Sequence, residues 1–190
     1  KDSCVDTDRC PTQFVSNALM AASFNRSSWF AKGDVVSTDL RVLNNYGVSD
    51  IGLTGYGPNI NTVKDPRYGR NSELPSEDPF LSGTYAAEYT AGMQQRDKKG
   101  FLKMLAYAKH YTAYSVEASR FTFSANVTDF AFGDSYLPQY EIIFTTGGRS
   151  SGAMCSYFAP NGVSSCGNNW LLNQKIRTDW GRPDAVVMSD

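Results

Sequence analysis

Apolar residues along the chain alternate between helical spacing and short continuous runs. The helical spacing predicts helices over residues 13–24, 28–46, 134–146 and 170–180, and another that begins at Pro79. Ser76-Glu77-Asp78 precedes this proline and offers an N-cap, and proline is favoured at the first helical position. Gly181 follows the last predicted helix, where a C-cap glycine is expected.

Short apolar runs predict four buried strands, at residues 51–60, 103–111, 152–158 and 185–188. Strands that alternate with helices indicate parallel β/α units, because parallel neighbours need a long crossover connection. An open doubly wound sheet and a barrel both fit this order. A complete barrel has eight strands and typically about 250 residues, so a barrel would be represented here by roughly half. No Gly-x-Gly-x-x-Gly or Walker sequence follows a predicted strand, which argues against nucleotide-binding versions of either fold.

Polar side chains follow each predicted strand at the point where it ends. In chain order these residues are Asn59, Asn61, Arg67, Arg70, Lys109, His110, Tyr157 and Asp190. In parallel β/α folds, binding and catalytic groups collect at the carboxyl ends of the strands. The pattern therefore predicts a functional site at this edge of the sheet.

Composition gives no support for nucleic acid, a membrane or a cofactor as a partner. The 190 residues suffice for one core, and 18 Lys and Arg nearly balance 19 Asp and Glu. This balance gives no reason to expect nucleic acid or an anionic membrane as a partner. No run of 18 apolar residues occurs, so no membrane-spanning segment is predicted. The single histidine and the cysteine spacings match no zinc pattern, so we expect neither a metal nor another cofactor.

Cysteines and glycosylation sequons favour an extracellular protein. The four cysteines form two local pairs, Cys4 with Cys10 and Cys155 with Cys166, although four cysteines allow three connectivities and the sequence does not choose among them. Sequons occur at Asn25-Arg26-Ser27 and Asn126-Val127-Thr128. Lys1 does not open a signal peptide, so we expect a mature terminus or a cut there. Together these features predict a secreted, disulfide-bonded glycoprotein.

Five segments, in order along the chain, carry the signal for function. They are residues 52–61 (GLTGYGPNIN), 64–79 (KDPRYGRNSELPSEDP), 109–114 (KHYTAY), 154–166 (MCSYFAPNGVSSC) and 186–190 (VVMSD). Together these segments resemble glycoside hydrolase family three. The third segment resembles the Lys-His-Phe sequence of that family, and the last resembles the strand that delivers its nucleophile. The ordered set spans nearly the whole chain.

The resemblance implies a partial TIM-like (β/α) barrel of about four β/α units. Residues 1–190 would form an incomplete N-terminal barrel domain of a longer glycoside hydrolase. It also implies a retaining, exo-acting β-glycosidase in which Asp190 is the nucleophile. The residue types are closest to the β-xylosidase-like branch; β-glucosidase and arabinofuranosidase activities occur among relatives, so the sugar stays open. The substrate-binding residues implied by the resemblance are Arg70, Lys109, His110, Met154 and Tyr157.

Physical chemistry is consistent with these roles. A retaining glycosidase needs one carboxylate that attacks the anomeric carbon and a second carboxyl that protonates the leaving oxygen. Lys109 and Arg70 would favour the ionised form of Asp190 while donating hydrogen bonds to the sugar. His110 could donate to a hydroxyl without adding a full charge near neutral pH.

The chain also departs from the family pattern. The acid/base carboxylate normally comes from another domain, and an acidic residue that grips the sugar would lie upstream of Lys1. We therefore expect this chain alone to be inactive, with the missing C-terminal domain of the same protein as its partner. A half barrel also has unpaired strand edges. The alternative is a catalytically inactive sugar-binding or structural protein on a degenerate hydrolase barrel.

Other interpretations concern single residues. Arg70 could pair with Glu73 or Asp65 instead of binding sugar, and Glu73, Glu77 and Asp78 are better explained as caps and loop ion pairs than as catalysts.

A β-N-acetylhexosaminidase relative would usually carry Lys-His-Phe-Pro-Gly-His-Gly. Here His110 is followed by Tyr-Thr-Ala-Tyr, without a second histidine.

Overall fold

The computed structural model of the protein describes residues 10–48 and 51–190. Cys4 lies outside these residues, so its pairing with Cys10 stays a prediction. The α-helices of the described chain are α1 (Asn17–Ala22), α2 (Arg26–Asn45), α3 (Pro79–Met93), α4 (Asp129–Ala131) and α5 (Pro138–Thr145). Two π-helices (Phe132–Tyr136 and Trp170–Asp179) and two 3₁₀ turns (Asn71–Glu73 and Ser165–Gly167) complete the helical elements described.

The strands form one main parallel sheet. Its strands are β1 (Thr54–Gly55), β2 (Leu105–Tyr111), β4 (Gly152–Cys155) and β6 (Val186–Ser189), in the order β1-β2-β4-β6. Neighbouring strands of this sheet are joined by helical crossovers, as the alternation of periods predicts.

Strand register brings the carboxyl ends of the strands to one edge. Cys155 of β4 pairs with Tyr111 of β2 and with Ser189 of β6. The register of β2 shifts between Ala108 and Tyr111, and the peptide bonds Lys109–His110 and Tyr111–Thr112 are cis. A bulge re-aims the side chains that follow it. The shift therefore lies where the polar residues of β2 begin.

Side-chain caps explain where the major helices begin. The Asn25 side-chain oxygen accepts a hydrogen bond from Ser28 N (3.1 Å) at the start of α2. Asp78 accepts from Phe80 N (2.8 Å) at the start of α3, and proline occupies the first position of that helix. Both caps satisfy backbone donors that have no partner inside the helix. The predicted start of α3 is confirmed.

Helices α2 and α3 approach closely because each has a glycine at the contact. A Cβ built on Gly33 would lie 2.0 Å from the backbone oxygen of Tyr89, and one on Gly92 would lie 2.1 Å from that of Phe30. Neither site has room for a side chain. On its other side α3 packs against α5, so α3 is the central helix of the layer.

The main core lies between one face of the sheet and the helices. Ile60, Ala108, Tyr111 and Ala153 from the strand side are buried against α5 and the second π-helix. The helical side of this core consists mainly of Tyr140, Ile143, Phe144, Leu171, Ile176 and Trp180. Rings of Tyr111 and Tyr140 meet edge to face with centroids 4.9 Å apart, so β2 is fixed from its buried face.

Two predicted elements differ from the structure, and one small strand pair was not predicted. The predicted strand at 51–60 contains only the two-residue β1, because Pro58 has no N–H to give to a sheet. The predicted helix at 134–146 is divided into a π-helix and α5, since Pro138 cannot continue a helical hydrogen-bond pattern. A small parallel pair, β3 (Ser124–Ala125) with β5 (Ala159–Pro160), was not predicted.

No helix within residues 10–48 and 51–190 combines the length and the apolar character needed to cross a membrane.

Candidate functional site

The carboxyl edge of the sheet collects the residues that the sequence marks as polar strand ends. Asn59 lies beside Lys109 as an extension of the parallel sheet, and Ile60 N donates to Lys109 O at 2.8 Å. Asp190 follows β6 directly, and its backbone N donates to Cys155 O at 3.2 Å. Backbone pairing thus places the ends of β2 and β6 on the same rim.

His110 is held rigidly by Asn61. His110 N donates to the Asn61 side-chain oxygen at 2.9 Å, and the Asn61 amide donates back to His110 O at 2.9 Å. Tyr140 also donates its hydroxyl to His110 O, at 2.8 Å. These bonds fix which end of the Asn61 amide is oxygen. All three residues are buried, so the ring has a defined position.

The ring of His110 points its two nitrogens at different neighbours. Nδ1 lies 3.2 Å from the Asn61 side-chain oxygen, and Nε2 lies 3.7 Å from Oδ2 of Asp190. Because the Asn61 oxygen is an acceptor, Nδ1 carries the proton of the neutral ring and Nε2 offers a lone pair. With this tautomer Nε2 can accept a hydrogen bond, whereas the expectation from the sequence is that His110 donates one to a sugar hydroxyl.

The imidazole of His110 is neutral at physiological pH. Burial lowers its pKa to about 3, and the positive charges of Arg70 and Lys109 act in the same direction. Only 1% of the side chain is exposed, against 16% for Asp190. The contact between the two is consequently that of a neutral ring beside a carboxyl group rather than an ion pair.

Asp190 has an oxygen available for chemistry. Oδ2 is buried and makes no hydrogen bond to any described residue. Burial raises the pKa of this carboxyl, whereas the charges of Arg70, Lys109 and Arg120 pull it down. The expected cationic field is thus present, but burial outweighs it. A carboxylate left without hydrogen-bond donors beside cationic side chains can act as a nucleophile toward an electrophilic carbon.

Lys109 lies half-buried beside the same groups. Burial lowers its pKa, and the negative charges of Glu73 and Asp190 oppose that shift while Arg70 adds to it. Its charge therefore acts directly on both ends of the cleft. An ammonium in this position can donate to a hydroxyl and stabilise a carboxylate.

Arg70 is fixed by Glu73. Of the two partners that the sequence allowed for Arg70, Glu73 and Asp65, the structure therefore has Glu73. Arg70 Nε and Nη2 donate to the two oxygens of Glu73 at 2.7 and 3.0 Å. Asp65 instead binds Arg67, at 2.6 Å between Nη2 and Oδ2. The hydrogen bonds to Glu73 raise the pKa of Arg70, so its charge is permanent.

Met154 and Tyr157 lie on and just after β4. Met154 is buried and pairs in register with Met188, while Tyr157 is half-buried in the turn that follows. The Tyr157 ring meets Phe121 edge to face at 4.7 Å, and the Arg120 guanidinium lies 5.0 Å from its centroid. Tyr157 therefore belongs to the rim, and Met154 lies one step deeper in the sheet.

Sequence reasoning missed Tyr114, Glu117 and Arg120, which lie in the segment after β2. Tyr114 donates to Glu117 at 2.7 Å, and Arg120 donates to the same carboxylate at 2.8 Å. The Tyr114 ring also meets His110 edge to face at 5.1 Å. These residues follow a strand end by only a few positions, and that signal could have identified them.

A disulfide closes the turn beside the nucleophile candidate. Cys155 at the end of β4 is bonded to Cys166, so one of the local pairings that the sequence left open is present. Cys155 O also accepts the backbone hydrogen bond from Asp190. Within the described residues, no three His, Cys, Asp or Glu side chains cluster as metal ligands would.

Comparison with known proteins decides the family. A family model described as the glycosyl hydrolase family 3 N terminal domain matches residues 8–190. The chain belongs to glycosyl hydrolase family 3. The resemblance found in the sequence is confirmed. The partial TIM-like barrel is also confirmed, because family 3 enzymes are among the structural neighbours of the chain.

Curated relatives of this family 3 chain include plant β-xylosidases. It is 42% identical over 185 residues to β-xylosidase/α-L-arabinofuranosidase 2 of Medicago sativa subsp. varia, with 94% of this chain and 23% of that protein covered. It is 40% identical over 184 residues to β-D-xylosidase 1 of Arabidopsis thaliana, with the same coverage. The chain thus spans about a quarter of the length of these relatives.

Solved family 3 structures share the fold of this chain. The exo-β-xylosidase XlnD, bound to a xylobiose aziridine activity-based probe, aligns with a TM-score of 0.88 at 33% identity. That alignment covers 97% of this chain and 24% of XlnD. The β-glucosidase DesR of Streptomyces venezuelae, in complex with D-glucose, aligns with a TM-score of 0.83 at 31% identity over 95% of this chain and 21% of DesR. The relatives are therefore β-xylosidases and β-glucosidases.

Proposed function

We propose that this chain is part of a retaining, exo-acting β-glycosidase whose first candidate substrate is a terminal β-xylosyl residue. The observation that carries the proposal is the unpartnered Asp190 carboxyl oxygen 3.7 Å from His110 Nε2, in a cleft that Arg70 and Lys109 make cationic. Plant relatives named β-xylosidases at 40–42% identity support xylose ahead of glucose.

In the proposed reaction, Asp190 attacks the anomeric carbon and forms a covalent glycosyl-enzyme. The leaving oxygen takes a proton from a carboxylic acid as its bond to the sugar breaks. Water then attacks the same carbon, gives its proton to that carboxylate and releases Asp190. Burial of Asp190 keeps competing water away from the attacking oxygen, and the two cations stabilise the carboxylate that leaves in the second step.

The sugar ring would be oriented by groups that bind its hydroxyls. Arg70 and Lys109 would donate hydrogen bonds, and His110 would accept one at Nε2. The side chains of Met154 and Tyr157 would line the pocket wall. Contacts of this kind lower the barrier when they strengthen in the transition state.

The general acid is proposed to lie outside this chain. A general acid must hold a proton that it can give. Burial raises the pKa of Glu73, but hydrogen bonds from Arg70 and Asn59 lower it by more, so Glu73 stays ionised. Glu117 accepts hydrogen bonds from Tyr114 and Arg120. We therefore propose that residues 1–190 are an incomplete N-terminal barrel domain, that the acid comes from a C-terminal domain, and that the chain alone is inactive.

The assay that tests this function uses the full-length protein. Chromogenic aryl β-xyloside and aryl β-glucoside are supplied in parallel, with the isolated 190-residue chain as the control. We expect turnover of the xyloside by the full-length protein and none by the chain. Binding of xylose without turnover of either substrate would contradict the hydrolase and support the catalytically inactive sugar-binding alternative.

We also propose that the protein is secreted. The Cys155–Cys166 disulfide supports an oxidising compartment. Both sequon asparagines, Asn25 and Asn126, are exposed. Treatment of the protein from its natural source with an N-glycan-removing enzyme should lower its apparent mass, and protein found only inside cells without N-glycans would contradict the proposal.

A further inference from the structure

Glu73 makes more directed contacts in the cleft than a loop ion pair requires. It binds Arg70 through two parallel hydrogen bonds, and its Oε2 also accepts from the Asn59 side-chain amide at 3.0 Å. Asn59 is 4% exposed and lies beside Lys109 in the sheet. Glu73 therefore links the loop that carries Arg70 to the strand end that carries Lys109.

The backbone around Glu73 is equally fixed. Arg70 and Glu73 close a 3₁₀ turn, with Glu73 N donating to Arg70 O at 3.0 Å, so their side chains lie on one side of the turn. The first residue of α1, Asn17, donates to Glu73 O at 2.6 Å. Leu74, the next residue, is fully buried. The carboxylate is thus attached to the fold and not to a mobile loop.

Holding Arg70 in this way leaves a defined part of its guanidinium free. A guanidinium has five N–H donors, and Glu73 takes one from Nε and one from Nη2. The Tyr114 ring lies 5.7 Å from the guanidinium carbon and restricts its movement. Of the three donors that remain, one faces the Tyr114 hydroxyl, which interacts with Arg70.

The Asp190 carboxyl also attracts the Arg70 guanidinium, so it competes with Glu73 for the same donors. Its Oδ2 makes no hydrogen bond to a described residue, and the Arg70 charge already acts on it. A direct bidentate bond would occupy both the sugar-binding donors of Arg70 and the attacking oxygen of Asp190.

We propose that Glu73 is a positioning residue that holds Arg70 toward the sugar and away from the nucleophile. This inference rests on the proposed function. It replaces the interpretation of Glu73 as a simple loop ion pair with a role in turnover that acts through Arg70.

The test compares Glu73→Gln with wild type in the full-length protein on an aryl β-xyloside. We expect kcat/KM to fall about 10- to 100-fold, the range typical of a misplaced catalytic contact. Both kcat and KM should change, because Arg70 loses its sugar-binding geometry and engages Asp190. The matched control is Glu88→Gln, which removes an Arg–Glu pair of 3.1 Å on the surface of α3 and should leave kcat/KM unchanged.

A pH profile separates positioning from a purely structural role. An arginine that approaches Asp190 lowers the pKa of that carboxyl, so the acidic limb of kcat/KM should move to lower pH in Glu73→Gln. The double variant Arg70→Gln/Glu73→Gln should lose much less kcat/KM than the sum of the two single losses, because Glu73 acts mainly through Arg70. Additive losses with an unmoved acidic limb would overturn the proposal.

Two further outcomes are decisive. If Glu73→Gln does not fold, Glu73→Asp keeps the charge with a shorter reach, and we expect an intermediate kcat/KM and an intermediate acidic limb. Wild-type kinetics in whichever variant folds would overturn the positioning role. Absence of activity in the wild-type full-length protein would instead refute the proposed function, so the two failures are distinguishable.

Discussion

Nε2 of His110 and Oδ2 of Asp190 lie 3.7 Å apart although they belong to different strands of the sheet. The Nδ1 proton is engaged by Asn61, so the imidazole presents a lone pair to the carboxyl group. The two groups do not form a salt bridge, because the imidazole is neutral. The Asp190 oxygen is therefore left without a hydrogen-bond partner among the described residues.

The neutral state of His110 predicts how stability depends on pH. Its pKa is about 3 in the folded protein against an ordinary value of 6.5, so between these values the unfolded state binds a proton that the folded state does not. The free energy of unfolding therefore rises with pH through this window, and the contribution of His110 is fully present above pH 6.5. Thermal unfolding of the full-length protein should show a lower Tm at pH 5 than at pH 7.

The contribution of His110 to that slope is isolated by His110→Gln. The variant has no imidazole to protonate. Its free energy of unfolding should therefore fall by about 1 kcal/mol less than that of wild type for each pH unit of acidification in this window. An equal Tm loss in both proteins between pH 7 and pH 5 would show that His110 is not held neutral by the fold.

The sequence predicted the order of elements and the shared edge of the site for physical reasons. The alternation of periods requires crossovers, and parallel crossovers bring Lys109, His110 and Asp190 to the same rim. The roles of single residues depended on the family resemblance. Without it, the pattern predicts a site at this edge of the sheet but assigns Asp190 no role in it.

Other features depend on contacts that a sequence does not display. The tautomer of His110 is set by Asn61, which lies far away along the chain. The break at Pro138 and the short β1 follow from proline geometry inside otherwise regular patterns. Glu73 resembled an ordinary loop carboxylate until its bonds to Arg70 and Asn59 were seen.

Close packing of β4 on β6 predicts a strong effect of Gly152→Ala. A Cβ at this position would lie 2.1 Å from the backbone oxygen of Val186, so one strand must move away from the other. We expect about 1–3 kcal/mol of destabilisation and a lower kcat/KM, because this strand pair leads to Asp190.

Gly167→Ala is the matched control for that variant. A Cβ there meets no atom within 4 Å, and the residue is not among the glycines with a positive φ. Its Tm and kcat/KM should match wild type in the full-length protein. Equal effects of the two substitutions would contradict the close β4–β6 contact.

The isolated chain is expected to associate. β1 and β6 are the edge strands of the main sheet, and Val186 on β6 is 47% exposed. Unpaired parallel edges with exposed apolar residues favour pairing with another copy. Sedimentation of the expressed 190-residue chain should show oligomers or precipitate. A soluble monomer with a cooperative thermal transition would contradict the incomplete barrel.

The most direct test of the account is covalent trapping of the nucleophile in the full-length protein. A 2-fluoro β-xyloside with a good leaving group slows hydrolysis of the glycosyl-enzyme, so the adduct can be located by peptide mass spectrometry. We predict a fluoroxylosyl group on Asp190, and about 10,000-fold slower turnover in a folded Asp190→Asn variant. An adduct on a different carboxylate, or near-normal turnover in Asp190→Asn, would contradict the assignment.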